Sequence, residues 1–168
     1  AGREESDMNL EEKIRAIPDF PKPGILFRDI TTLLADPEAF AEVINRVVER
    51  FGGAGIEAVA AIESRGFIFG TPVALKLGCA FVPVRKPGKL PAETVSAEYS
   101  LEYGTDKIEM HKDALRPGQK VLIIDDLLAT GGTMAAACKL VESVGAKVCG
   151  IAFVIELDFL KGRENLGG

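Results

Sequence analysis

One histidine, His111, and three cysteines, Cys79, Cys138 and Cys149, are too few for a Cys/His zinc site, and no C-x-x-C pair occurs. The odd cysteine count speaks against a disulfide framework, so reduced thiols in a cytoplasmic protein are the expectation. No apolar run approaches the roughly 18–20 residues of a membrane span, and the polar stretch Ala1–Leu10 lacks a signal-peptide core. Positive charge is in deficit: 20 Lys+Arg stand against 25 Asp+Glu, a formal net charge of -5 and a pI of about 5.0. That balance argues against nucleic acid or an anionic membrane as the main partner, but not against a local cationic pocket. Internal repeats, low-complexity tracts and linkers are lacking too.

What is present is ordinary globular composition, with 47% hydrophobic and 27% charged residues in 168, the length of a single domain. Glycine and proline exceed their usual share, about 16% against ~12%, as loops that handle phosphate would require. Leu10–Ala16 reads as a short helix, broken by Pro18, Pro21 and Pro23, with an irregular arm over Asp19–Ile30. Asp36-Pro37 opens a helix through about Phe51, with Phe40, Val43, Ile44, Val47 and Val48 on one face. Apolar strands follow at Glu57–Ile62, Ala80–Val84, Val121–Ile124 and Ala146–Ile155, with helices over about Phe67–Leu77 and from the Thr130–Thr133 turn to Val144. Pro83 hints at a sheet edge. Strands alternating with helices predict an α/β fold with a parallel sheet.

Between Arg85 and Pro117 that rhythm stops. Val95, Ala97, Tyr99, Leu101 and Tyr103 alternate with Thr94, Ser96, Glu98, Ser100 and Glu102, a period of two over ten residues. A turn at Gly104-Thr105-Asp106 leads to Lys107–His111, where Ile108 and Met110 share one side. The pattern predicts an inserted hairpin, a candidate lid. A carboxyl on such a strand, Glu102, can exchange a proton with a heterocycle's ring nitrogen as the lid closes.

The most informative run is Val121–Thr133, VLIIDDLLATGGT. A buried strand ends in Asp125 and Asp126, and the loop Ala129, Thr130, Gly131, Gly132, Thr133 leads into a helix. Amides at the helix start and the two threonine hydroxyls can surround a phosphate monoester, which the helix dipole favours. The glycines admit the turn and a close ligand. Two carboxylates repel a phosphate, so their task is to accept hydrogen bonds from nearby hydroxyls, as on a ribose, or to help hold a metal. The run is neither a Walker A loop nor G-x-G-x-x-G. A second turn, Glu63-Ser64-Arg65-Gly66, offers an arginine fork for anionic oxygens, and Arg85, Lys86 and Lys89 form the densest positive cluster.

At these residues the sequence resembles the phosphoribosyltransferases, whose signature loop binds 5-phosphoribosyl-1-pyrophosphate. DFPKPGILFRDIT, ESRGFIFG, VRKPGKLP, SLEYGTDKIEMHKDAL, VLIIDDLLATGGTM and IELDFLKGRENL fall in the order and spacing of the adenine-specific members, from about Leu10 to Leu166. The resemblance implies the type I fold: a central, mainly parallel sheet flanked by helices, a small N-terminal hood over about 8–34, and a flexible β-hairpin lid over about 85–112. It implies transfer of the phosphoribosyl group to adenine, yielding AMP and pyrophosphate, with Mg²⁺ as cofactor in a cytoplasmic homodimer.

The residue roles follow by the same resemblance. Ala129–Thr133 take the 5′-phosphate, and Asp125 and Asp126 the ribose. Ser64, Arg65, Arg85, Lys86 and Lys89 face pyrophosphate, with Mg²⁺ held through that group rather than by an identified protein ligand set. Leu26, Phe27 and the main chain of Arg28 recognise adenine. Glu102 is the general acid/base, Arg65 assists catalysis, and Tyr103 closes the lid. Ile151–Leu160 lacks the lysine or arginine that 6-oxopurine enzymes place there, which favours adenine. Family members usually continue past the GRENL run with another apolar segment, a departure that touches none of these residues. Two other readings stay open: a phosphoribosyltransferase for another base, and a non-catalytic sensor of the phosphoribosyl donor.

Overall fold

Four strands with almost no polar side chains can be stable only when both sheet faces are covered. In the structure, a computed structural model that describes residues 8–101 and 103–167, β3 (Ala58–Ile62), β4 (Ala80–Val84), β7 (Lys120–Leu128) and β8 (Lys147–Glu156) form that sheet. The order is β4-β3-β7-β8 and every pair is parallel. All five residues of β3 are buried. Helix α3 (Arg65–Leu77) connects β3 to β4, and α4 (Gly132–Ser143) connects β7 to β8. The chain leaves β3 toward one sheet edge and β7 toward the other. The carboxyl ends of these two neighbours therefore flank a topological switch point, where open α/β sheets bind ligands. Pro83 does lie on an edge strand, β4.

Two compact units divide the chain between Arg46 and Val47, within helix α2 (Pro37–Phe51). In the first, a 3-10 turn at Glu11–Lys13 precedes β1 (Arg15–Ile17), which pairs antiparallel with β2 (Phe27–Asp29). The helix expected over Leu10–Ala16 is thus cut to one turn, and the arm over Asp19–Ile30 gains a strand. Pro18 pushes Ile17 toward extended geometry. Asp29 then draws Arg15 into the pairing: Arg15 Nε donates to Asp29 Oδ2 at 2.9 Å. Thr31 donates its amide at 2.9 Å and its hydroxyl at 2.7 Å to Asp29 Oδ1. These bonds, Thr31's first and Arg15's after them, hold the Asp29 carboxyl at about 2. The short helix α1 (Thr31–Leu34) follows. Asp36 caps α2 by accepting from Glu38 and Ala39 amides at 3.0 and 3.2 Å, with Pro37 in the first helical position.

In the second unit the hairpin consists of β5 (Thr94–Ser100) and β6 (Thr105–His111), in register from Thr94↔His111 to Ser100↔Thr105. The expected ten-residue strand stops at Ser100, because Leu101 N donates to Gly104 O at 2.9 Å and closes the turn there. Leu101 and Tyr103 consequently leave the apolar face and are 49% and 89% exposed. Ile108 and Met110 share one side and are fully buried in the core with Val82, Val84 and Leu140. The base of the hairpin is core, and only its tip projects.

The bounds of α2 and β4 agree with the sequence reading, whereas β7 runs four residues beyond Ile124. Its extension pairs with β8, Asp125↔Phe153 and Leu128↔Glu156, so both aspartates lie inside the strand. A bulge after Val121 shifts that register.

Gly70 shows how tightly α3 presses on β3. A Cβ there would lie 2.6 Å from Ala61 Cβ and 3.2 Å from the Phe81 ring. Alanine favours a helix interior by ~1 kcal/mol over glycine, but overpacking costs ~1–3 kcal/mol. The clash should win: Gly70→Ala is expected to lower Tm by about 2–10 °C in a thermal melt. An unchanged or raised Tm would mean that helix and sheet separate freely.

Candidate active site

The switch point gathers two segments that lie far apart in sequence. At the end of β3, Glu63 N donates to Val84 O at 2.9 Å, and the Glu63 carboxylate accepts from Lys86 N and from Arg85 Nη2, the latter at 3.3 Å. Glu63 thereby ties the ends of β3 and β4 together. Ser64 is exposed at the N-cap of α3. Arg65 follows, its side chain 49% exposed, and its Nε donates to Asp126 Oδ2 at 2.5 Å. The next residue is a glycine for steric reasons. A Cβ at Gly66 would sit 3.1 Å from both Asp125 Oδ1 and Ile124 O.

Asp125 and Asp126 are adjacent carboxylates on a well-shielded strand end. Desolvation is the first cause that lifts the Asp125 carboxyl far above the ordinary carboxylate range, and the charge of Asp126 adds to it. The bond from Asp126 N to Asp125 Oδ1, at 2.8 Å, and the positive charge of Arg65 only partly offset this. Burial thus disfavours the ionised form of Asp125, and hydrogen-bond donors or a cation beside it would favour that form.

Beyond Leu128 the chain turns through Ala129, Thr130 and Gly131 into α4. Gly131 is the N-cap, in the left-handed region at φ +87°. Gly132 and Thr133, expected in a loop, form the first turn of the helix. First-turn amides have no intrahelical acceptor, and they carry the positive end of the helix dipole. Together with Arg65, Asp125, Asp126 and Phe153, residues 129–133 line a cleft of about 210 Å³. One end of this cleft suits an anion, and the carboxylate side suits hydroxyl groups.

Other predicted site residues lie elsewhere. Lys86 Nζ donates to Tyr99 Oη at 2.6 Å and pairs with Asp106, Arg85 is paired with Glu63, and Lys89 is exposed; none of the three lines the cleft. Tyr103 points into solvent at the hairpin tip, and Glu102 lies outside the described residues. Leu26 is exposed, and Phe27 and Arg28 are partly so; all three belong to the first unit. Two neighbours of the loop escaped the sequence reading. Phe153 reaches the cleft only through its register with Asp125, which no local pattern encodes. Asn165 donates from Nδ2 to Thr130 O at 2.6 Å, a contact across 35 positions.

The phosphoribosyl transferase domain family matches residues 29–164. Adenine phosphoribosyltransferase 1 of Triticum aestivum is 63% identical over 158 residues, which cover 94% of this chain and 87% of that protein. The adenine phosphoribosyltransferase of Thermoanaerobacter pseudethanolicus superimposes with a TM-score of 0.91 at 58% identity, covering 95% of each chain. That of Saccharomyces cerevisiae, in complex with an imino-altritol bisphosphate and adenine, gives 0.88 at 45% identity, over 93% of this chain and 91% of that one. A type I fold, a matching domain family and identities of this size place the chain in the adenine phosphoribosyltransferase family.

Proposed function

We propose that the protein transfers the 5-phosphoribosyl group from 5-phosphoribosyl-1-pyrophosphate to N9 of adenine, forming AMP and pyrophosphate in purine salvage. The observation that carries this reading is the placement of two adjacent carboxylates beside the amino end of α4 in one cleft. A sugar phosphate needs that pairing: amides and dipole for the 5′-phosphate, acceptors for the ribose hydroxyls. The name shared by relatives at 63% and 61% identity supports adenine as the base.

In the proposed mechanism residues 129–133 hold the 5′-phosphate, and the ribose hydroxyls donate to Asp125 and Asp126. Arg65, anchored on Asp126 through Nε, is assigned to the pyrophosphate oxygens, with Ser64 beside it. Departure of pyrophosphate leaves positive charge on the sugar ring, which the ionised aspartates stabilise and which water would quench. Exclusion of water is assigned to the hairpin tip carrying Tyr103, and proton exchange with the purine nitrogen to Glu102. Leu26, Phe27 and the Arg28 main chain are assigned to the base. Arg85, Lys86 and Lys89 are assigned to pyrophosphate in a cytoplasmic homodimer, the assembly that the family resemblance implies.

Among the described residues no three Asp, Glu, His or Cys side chains come together to hold a metal ion. Two carboxylates without a cage fit Mg²⁺, which takes one or two carboxylates and completes its shell with substrate phosphates and water. Asp125 and Asp126 would hold such an ion, and its chemistry is to neutralise the leaving pyrophosphate.

A pyrophosphate-release assay with adenine, hypoxanthine, guanine and xanthine should show turnover with adenine alone or by a wide margin. Preferential use of guanine overturns the choice of base, and donor binding without release for any base supports a sensor. Arg65→Ala and Asp125→Asn should each lower kcat/KM by about 10²-fold or more.

The same Asp125→Asn variant is expected to be more stable than the parent. A carboxyl whose folded pKa is raised binds more protons folded than unfolded, so its contribution falls as pH rises above the unfolded value of about 4. The difference in Tm should vanish at low pH, appear above about pH 4 and grow toward neutrality. Equal Tm values at all pH would show that Asp125 is not strained by its setting.

A further inference from the structure

We propose that Asn165 is a positioning residue that fixes the peptide between Thr130 and Gly131 in the orientation an anion needs. The inference rests on the reading of residues 129–133 as a phosphate loop. That peptide is trans, so its carbonyl and its N–H point in opposite directions. Asn165 Nδ2 holds the Thr130 carbonyl at 2.6 Å from a position outside the cleft lining. The Gly131 N–H consequently points away from Asn165, on a residue that lines the cleft.

Gly131 cannot secure this orientation by itself. Glycine takes φ of either sign with little preference, so a peptide flip that turned φ from +87° to a negative value would meet no Cβ penalty. Flipped, the same peptide would present a carbonyl oxygen to the anion. The bias has to come from outside the loop, and the turn at Gly162–Leu166 supplies it. A Cβ at Gly162 would lie 2.4 Å from Ala129 O, and one at Gly131 2.5 Å from Gly162 O, so backbone is packed on backbone with no room for a side chain. This contact brings Asn165 within reach of Thr130. Asn165 is exposed, so its bond to Thr130 is a surface contact rather than a core one.

Asn165→Ala removes the donor. Asn165→Asp keeps the shape but sets a carboxylate against the carbonyl and favours the flip. Steady-state kinetics and thermal melts of the full chain test the idea, with Thr133→Val as a control within the loop. Expected are a KM for 5-phosphoribosyl-1-pyrophosphate raised about 3–10-fold by Ala and further by Asp, with adenine KM and Tm unchanged; a net hydrogen bond of ~0.5–1.5 kcal/mol sets this scale. Three results overturn the proposal. A donor KM unchanged in both Asn165 variants, while Thr133→Val raises it, refutes the role of Asn165 and spares the phosphate loop. A donor KM unchanged by Thr133→Val as well refutes the loop itself. A fall in Tm with both KM values altered marks Asn165 as merely structural.

Discussion

The parallel pairing of β3 with β7 is the constraint on which the site depends. Its register, Ala58↔Val121 to Ala61↔Ile124, runs through residues without polar side chains, so burial and the backbone ladder alone hold the pair. The pairing brings Arg65 to Asp126 across 61 positions, and Gly66 against Asp125. Because a slip of one residue would turn every side chain to the other face, the apolar strand interior also fixes the chemistry at its end. The small side chains of β3, four of five being Ala or Val, let α3 approach closely enough for its first turn to share the cleft with α4.

Much of this was legible in the sequence wherever the determinant is local. Pro37 after Asp36 set the start of α2, and the run of apolar residues at 80–84 set β4 with both bounds. The strand–Asp-Asp–Thr-Gly-Gly-Thr–helix order pointed to residues that the structure does bring together in one cleft, because each residue type there answers a local demand. Where partners are distant, sequence logic failed for stated reasons. Arg15 has no local reason to be extended; Asp29, fourteen positions on, makes it so. The aspartates read as strand terminators, yet pairing with β8 carries the strand past them. Tyr103 kept the period-two pattern but lost its strand, because the turn closes at Leu101. In the densest positive cluster Arg85 is paired with Glu63 and Lys86 with Asp106 and Tyr99, partners that no local pattern reveals.

The acidic total of the chain hides a division of labour. In the proposed reading the cleft would draw an anion with backbone dipoles and one arginine, not with an excess of cations. Burial, and after it the charge of Asp126, make ionisation of Asp125 costly. Under the proposed function, ribose hydroxyls or a cation would offset that cost. The strain sits beside a glycine, Gly66, whose missing side chain admits the neighbouring carboxylate.

The buried underside of the hairpin has a consequence for how the chain can be cut and rejoined. Ile108 and Met110 of β6 belong to the same core as Val82 and Leu140, and Val95, Ala97 and Tyr99 of β5 pack against it, so each strand has contacts with the core apart from the turn that joins them. A protease nick or an inserted peptide at 101–104 would leave both strands in place, and new chain ends could be opened there. A break at 112–119 would instead fall at Leu115, which is itself part of that core. The turn is therefore the natural graft point for a reporter loop.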